Sequence, residues 1–299
     1  MKFDFIMLLK GKNIVITGSG RGIGKSIALA CAKEGANIGL ISRTIEELNQ
    51  TKKEAEVLGT GVKVIVKSTD ITQFEEVEEA FKEFYNEMGL LSGVIANAGY
   101  SRMWATHEFI NEKFAEILNV NILGAFYTFK AAYPYLKKDD KKDKARFIIT
   151  GSEAYPNAPA RLTAYVASKY AVVGMQKAMS AEYKRENINF TMILPTQVDT
   201  TLLRGKNAGD GNKPDHVLNP WDLNEYYLFL LSENANRIDN GLIFTYDFQE
   251  VKRVLAEAPM GKKENWETFK DYFKEHAPKS YDNVKDYGKL VDFIISRSQ

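Results

Sequence analysis

Only one cysteine, Cys31, occurs in 299 residues, so no internal disulfide can form, and no cluster of Cys and His has the spacing of a zinc site. His107, His216 and His276 match no catalytic or metal pattern, and no metal is expected. Neither sign of charge dominates: 40 basic and 39 acidic residues leave a net charge of +1. Nothing global therefore draws the chain to nucleic acid or to an anionic membrane, and any anion site must be local. Long apolar runs are missing too. Phe5 to Leu9 is too short for a signal-peptide core or a membrane span, so no targeting segment is expected. No repeat or low-complexity segment appears, and the charge run Lys137 to Lys144 reads as a solvated loop. With 44% hydrophobic residues, the chain is long enough to bury a large core plus an appendage. A reducing, cytoplasmic setting fits the lone thiol.

Apolar, β-rich runs alternate with helical patterns through most of the length. The strands expected are Asn13 to Thr17, Asn37 to Ser42, Val62 to Lys67, Leu91 to Ala96, Phe147 to Thr150, Ile188 to Leu194 and Leu242 to Tyr246. Helices are expected from Ile23, over Ile45 to Leu58, Phe74 to Met88, about Asn111 to Leu136, about Thr163 to Arg185 and Trp221 to Leu231. This rhythm predicts an α/β fold, a doubly wound parallel sheet of about seven strands with helices on both faces. A Gly-, Asn-, Asp- and Pro-rich loop from Gly205 to Pro220 has the character of a lid. The texture changes after residue 248. Residues 1–248 are expected to form the main domain, and 249–299 a helical extension of two or three amphipathic helices packed on that domain or on a partner subunit.

Directly after the first strand the chain reads Thr17-Gly18-Ser19-Gly20-Arg21-Gly22-Ile23-Gly24. Glycines let a pyrophosphate approach the backbone at the positive end of a helix dipole, where N–H groups are unpaired. The spacing does not match the common G-x-G-x-x-G dinucleotide pattern. Gly24-Lys25-Ser26 resembles the end of a triphosphate loop, but Ser19 stands where that loop needs its first glycine.

The loop resembles that of the short-chain dehydrogenase/reductase (SDR) family, T-G-x-x-x-G-x-G, at Thr17, Gly18, Gly22 and Gly24. The resemblance spans roughly residues 10 to 248 and implies a Rossmann-type fold binding NAD(P)(H) through Gly18, Ser19, Gly20, Arg21, Gly22, Ile23 and Gly24. It also implies that Asp70 and Ile71 contact the adenine side and that Asn97, Ala98 and Gly99 form a structural turn. The second strand ends in Ser42 and Arg43, where an acidic residue would favour NAD(H). A guanidinium suits a 2'-phosphate, with Arg21 as a second cation, so NADP(H) is the expected cofactor.

Tyr and Lys four residues apart occur three times, at Tyr133/Lys137, Tyr165/Lys169 and Tyr281/Lys285. Only the second pair has a hydroxyl, Ser152, at the end of the preceding strand, where open α/β sheets place their ligands. Ser152, Tyr165 and Lys169 match the family's catalytic positions one by one, and Asn121 matches its fourth member. Reduction of a carbonyl by hydride builds negative charge on oxygen, which needs a donor and a proton. Tyr165 is the expected acid, its phenol drawn toward neutrality by the Lys169 ammonium. Ser152 would hold the substrate oxygen. The resemblance assigns Lys169 also to the nicotinamide ribose and Asn121 to a water in a proton relay.

After the sixth strand the family commonly has Pro-Gly, a small apolar residue and a Thr at the nicotinamide carboxamide. Pro195, Val198 and Thr200 fit, but Thr196 replaces the glycine. Tyr246-Asp247-Phe248 stands where relatives often carry a glycine pair. Trp104, Tyr155 and Leu202 are expected to join Ser152 and Tyr165 in a partly aromatic substrate pocket, with Glu153 and Arg161 as unassigned polar neighbours. The reading is a carbonyl reductase acting on a small molecule, as a homodimer or homotetramer. The competing readings are a non-catalytic NADP(H)-binding protein that docks a partner through its extension, and a nucleotide triphosphatase.

Overall fold

The computed structural model describes residues 7–58, 60–139 and 142–298. Phe5 and Ile6 of the apolar run, Asp140 and Lys141 of the charge run, and Gln299 lie outside the described residues. Seven strands form one parallel sheet: β1 (Asn13–Thr17), β2 (Asn37–Ser42), β3 (Val64–Ser68), β4 (Gly93–Ala96), β5 (Ala145–Thr150), β6 (Ile188–Leu194) and β7 (Gly241–Phe244). Their spatial order is β3-β2-β1-β4-β5-β6-β7. The order reverses between β1 and β4, and a crevice opens there beyond the carboxyl ends of the strands.

Both faces of the sheet are covered, which is why β1 reads as an unbroken apolar run and is buried throughout. Alternation along it still sorts the side chains: Ile14 and Ile16 join the core on one face, Val15 the core on the other. One face carries α1 (Gly22–Lys33) and α2 (Ile45–Val57); the other carries α3 (Phe74–Met88). The α3 helix buries Val77, Ala80, Phe81 and Phe84, spaced three and four apart, against that second core.

The long helix expected from Asn111 is broken into α4 (Asn111–Leu118), a π-helical turn over Asn119–Leu123 and α5 (Gly124–Ala132). After β5 come a short α6 (Ala154–Asn157) and α7 (Thr163–Glu182). Ala158 and Arg161, between them, hold positive φ of 41° and 67°, an unfavourable setting for residues with a Cβ. After β6 come α8 (Thr201–Arg204) and α9 (Asn224–Leu231).

The last strand ends at Phe244, and Tyr246-Asp247-Phe248 belong instead to α10 (Thr245–Glu257). That helix runs across the expected division at residue 248. It is followed by α11 (Trp266–His276), α12 (Pro278–Val284) and α13 (Gly288–Ser298), so four helices stand where two or three were expected. Their buried Trp266, Phe269, Phe273, Leu290 and Ile294 share one core cluster with Ile14, Ile16 and α9. Phe229 of α9 meets Phe293 of α13 with ring centroids 5.6 Å apart, and Arg297 pairs with Glu34 at 2.5 Å. No helix among the described residues is long and apolar enough to cross a membrane.

Candidate active site

The turn from β1 into α1 is built by close approach. Gly18 has φ +66°, and a Cβ there would lie 2.8 Å from Ala98 Cα. A Cβ on Gly24 would collide with the Gly18 carbonyl. Asn97 locks the same corner, donating from Nδ2 to the carbonyls of Thr17 (3.0 Å) and Gly18 (3.3 Å). Thr17 Oγ1 accepts from the backbone N–H of Asn97 and Ala98. Gly99 follows beside Asn121 Oδ1.

Arg21 is the N-cap of α1 and gives no side-chain cap, and no acidic residue lies in the first turn. The helix therefore presents uncapped N–H groups beside Gly20 and Gly22, as an anion site requires. Thr200 lies against Gly22, within 3.2 Å of where a Cβ would stand, so the loop after β6 borders the same helix end. Val198 is buried and its carbonyl accepts from Thr200 Oγ1 at 3.3 Å; Pro195 is buried as well. Ile23 is half-buried against the core.

Several expected contacts turn out to be engaged within the protein. Ser19 is fully buried and its hydroxyl bonds the backbone of Ile41, accepting from N–H at 3.0 Å, so it ties the loop to β2. Arg21 pairs with Glu47 at 3.0 Å. Ser42 Oγ donates to the Thr44 carbonyl, whereas Arg43 is exposed and makes no ion pair among the described residues. Asp70 accepts from the N–H and hydroxyl of Thr72, closing its own turn, and Ile71 is buried against Gly124.

The second half of the site gathers at the end of β5. Tyr165 and Lys169 sit one turn apart on α7, with Lys169 Nζ 5.3 Å from the Tyr165 ring centroid. Lys169 is 6% exposed and donates to the Thr150 carbonyl at 3.0 Å. The Ser152 hydroxyl lies beside the Tyr165 phenol, where it favours the phenolate, and accepts from Ala154 N–H at 3.1 Å. Burial pushes the phenol pKa up, with Ser152 opposing, and burial brings Lys169 down to about 8. In this state of the site desolvation, not the ammonium, sets the direction for Tyr165.

Asn121 lies in the π-helical turn and is buried. Its Oδ1 accepts from Tyr100 N–H at 2.8 Å; its Nδ2 donates to the Tyr100 carbonyl (3.0 Å) and to Ser168 Oγ (2.9 Å). It reaches α7 beside Lys169, not at Lys169 itself. Trp104 packs edge-on to Phe109 at 5.2 Å, and Tyr155 edge-on to Tyr170 at 4.6 Å. Leu202, Leu203 and Met103 remain exposed. A hollow of about 480 Å³ lined by Lys12, Ser92 and Asp143 lies at the other end of the sheet and touches none of these residues. No cluster of three or more His, Cys, Asp and Glu that could hold a metal is found among the described residues.

Three groups of residues escaped the sequence. Asp199 is buried and holds the loop after β6 through Arg204 (3.1 Å) and the Gly209 N–H. Thr150 bonds the buried Tyr227 phenol at 2.7 Å while its carbonyl takes Lys169. Glu153, Thr196 and Tyr246 meet one another. The last two depend on contacts between segments far apart in the chain, for which local patterns carry no signal; the first lies within one irregular loop, which has no period to read.

A family model described as short chain dehydrogenase matches residues 12–211. The mouse 3-ketodihydrosphingosine reductase is 31% identical over 204 residues, which are 67% of this chain and 60% of the mouse protein. The (-)-trans-carveol dehydrogenase of Rhodococcus erythropolis is 26% identical over 269 residues, 79% of this chain and 96% of that one. Among solved structures, a short-chain type dehydrogenase/reductase from Mycobacterium marinum superposes with a TM-score of 0.71 at 27% identity, covering 80% of this chain and 95% of its own. An alcohol dehydrogenase from the archaeon Thermococcus sibiricus, complexed with 5-hydroxy-NADP, gives a TM-score of 0.70 at 28% identity, covering 78% and 95%. The seven-stranded parallel sheet agrees with that match, and the chain belongs to the short-chain dehydrogenase family.

Proposed function

We propose that the protein is an NADP(H)-dependent oxidoreductase that interconverts a ketone or aldehyde and an alcohol. The observation that carries this reading is the gathering of Ser152 and Lys169 around the Tyr165 phenol, with Lys169 one turn along α7 and 5.3 Å from the ring centroid, at the strand ends that the open α1 N-terminus also borders. A dinucleotide fits this corner: Gly18 and Gly24 let the turn close tightly on the neighbouring backbone, and the uncapped turn of α1 offers N–H groups to a pyrophosphate. When bound, such a cofactor supplies or takes the hydride.

The chain's own residues do the rest. Ser152 orients the substrate oxygen, and Tyr165, kept protonated at neutral pH by burial, gives it the proton as charge develops. Lys169, still mostly charged below its pKa of about 8, stabilises the phenolate left behind. Both N–H donors of Asn121 are committed to Tyr100 and Ser168, so we assign it the positioning of α7 against the Tyr100 loop. For the cofactor's 2'-phosphate, Arg43 carries the preference. Arg21 contributes only after giving up Glu47, a step that costs at most about 1 kcal/mol for so exposed a pair.

The exposed Met103, Leu202 and Leu203 and the half-buried Trp104 and Tyr155, all in segments that follow strand ends, favour a partly apolar substrate. Exposed Leu123, Phe126 and Tyr170 on the neighbouring helices suit a homodimer or homotetramer. The lone, buried Cys31 accords with a reducing, cytoplasmic setting. A fluorescence titration with NADPH and NADH tests the cofactor assignment. Tight NADPH and weak NADH binding is expected; preference for NADH overturns the role of Arg43, and binding of neither overturns the reading.

A further inference from the structure

Three positions at which this chain departs from its family's usual pattern, or carries an unassigned polar residue, are far apart in sequence and meet in space. Glu153 follows Ser152 directly. Its backbone N–H donates to the Pro195 carbonyl at 3.0 Å, extending the β5–β6 pairing past the strand ends. Its carboxylate accepts from the Tyr246 N–H at 3.0 Å, in the first turn of α10, and lies beside the Thr196 side chain, whose hydroxyl favours its charged form. Thr196 is itself held by its N–H on the buried Thr245 hydroxyl at 3.0 Å.

One step further along α10, Asp247 is 7% exposed and is bonded by Asn283 (3.0 Å) and Ser280 of α12. The polar chain therefore runs from the segment that holds Ser152, through one carboxylate, to the C-terminal helices. A glycine at 196 has no hydroxyl to give, and a glycine pair at 246 does not open a helix as readily. A carboxylate at the N-terminus of a helix is favoured by the helix dipole as well as by the hydrogen bond.

We propose that Glu153 is a positioning residue through which the C-terminal helices fix the geometry of Ser152, so that those helices are a working part of the active site. This rests on the reductase reading of Ser152 and Tyr165 and adds to it. A Ser152 hydroxyl that must meet both the Tyr165 phenol and a substrate oxygen tolerates little displacement. Thr196 and Tyr246 hold the neighbouring residue from two sides. Removing the carboxylate frees the segment that carries Ser152 and leaves the Tyr246 N–H without its partner.

The test compares Glu153→Ala, Glu153→Gln and Thr196→Val in the full-length protein, by turnover of a panel of ketones and aldehydes with NADPH, by NADPH titration, and by amide hydrogen exchange over residues 245–250. Glu153→Ala is expected to lower kcat about tenfold to a hundredfold, to leave the NADPH Kd within about twofold, and to speed exchange at Tyr246. Glu153→Gln keeps an acceptor for Tyr246 and a partner for Thr196, and restores most of both. Thr196→Val, milder and safe for folding, is expected to lower kcat about threefold and to add nothing in the Glu153→Ala background. Glu153→Ala with kcat within twofold of wild type, or with lost kcat and unchanged exchange at α10, overturns the proposal. Failure of the reductase reading is separate: it shows as a wild type that turns over none of the panel.

Discussion

The two halves of the crevice are built on different terms. On the β1–β4 side, glycines bring backbone onto backbone, Gly18 against Ala98 and Gly24 against the Gly18 carbonyl, and the short, uncharged Asn97 and Thr17 side chains latch the two strand ends. On the β5–β7 side, the work falls to charged side chains: Glu153 reaches across to Tyr246 and Thr196, and Asp199 ties its own loop through Arg204. In the proposed reading the first is the cofactor half and the second the substrate half, and changes in the second are expected to alter selectivity while the fold persists.

The most severe way to break that division is Lys169→Met. Turnover is expected to fall about a thousandfold, because the phenolate loses its counter-charge. The same variant should gain stability. Burial lowers Lys169 from 10.5 to about 8, so the folded state disfavours the charged form. The wild type therefore bears that penalty below about pH 8 and sheds it as pH rises toward 10.5. A raised melting temperature for the variant at pH 7, shrinking toward pH 10, is the expected result; a lower one at pH 7 contradicts the burial argument.

How much of this was legible depends on whether the signal was local. The βα alternation and the glycine turn after β1 were readable, because strand period, helix period and a run of glycines are properties of short segments; the same local reading set Tyr165/Lys169 beside Ser152 at the end of β5, where the structure brings the three together. The π-helical turn at Asn119–Leu123 was not, since the apolar pattern runs on through it. The strand expected to reach Tyr246 stops at Phe244: Leu242, Phe244 and Tyr246 alternate like a strand, but Tyr246 lies in the first turn of α10. Arg21 looked free for a phosphate until Glu47, from the next helix, came to meet it.

Smaller changes sharpen the comparison. Arg43→Ala is expected to weaken NADPH binding about tenfold and to leave NADH binding unchanged, measured by titration of both. An equal loss for both cofactors would remove the 2'-phosphate from its role. The pH arm comes next: the rate of reduction should hold to about pH 7 and fall as pH rises through about 8, where Lys169 loses its proton, while alcohol oxidation rises over the same range. The opposite slopes would show that Lys169 is not the titrating group. Last, Arg21→Ala is expected to change NADPH affinity by no more than about threefold, because its exposed pair with Glu47 already satisfies it.

The central claim is that Tyr165 gives the carbonyl oxygen its proton as hydride reaches the carbonyl carbon. It is tested most directly by following NADPH oxidation with a panel of ketones and aldehydes for wild type and Tyr165→Phe side by side, each with its NADPH Kd measured. The account predicts turnover by the wild type, at least about a thousandfold less by the variant, and an NADPH Kd unchanged within about twofold. A variant that turns over at the wild-type rate would contradict it.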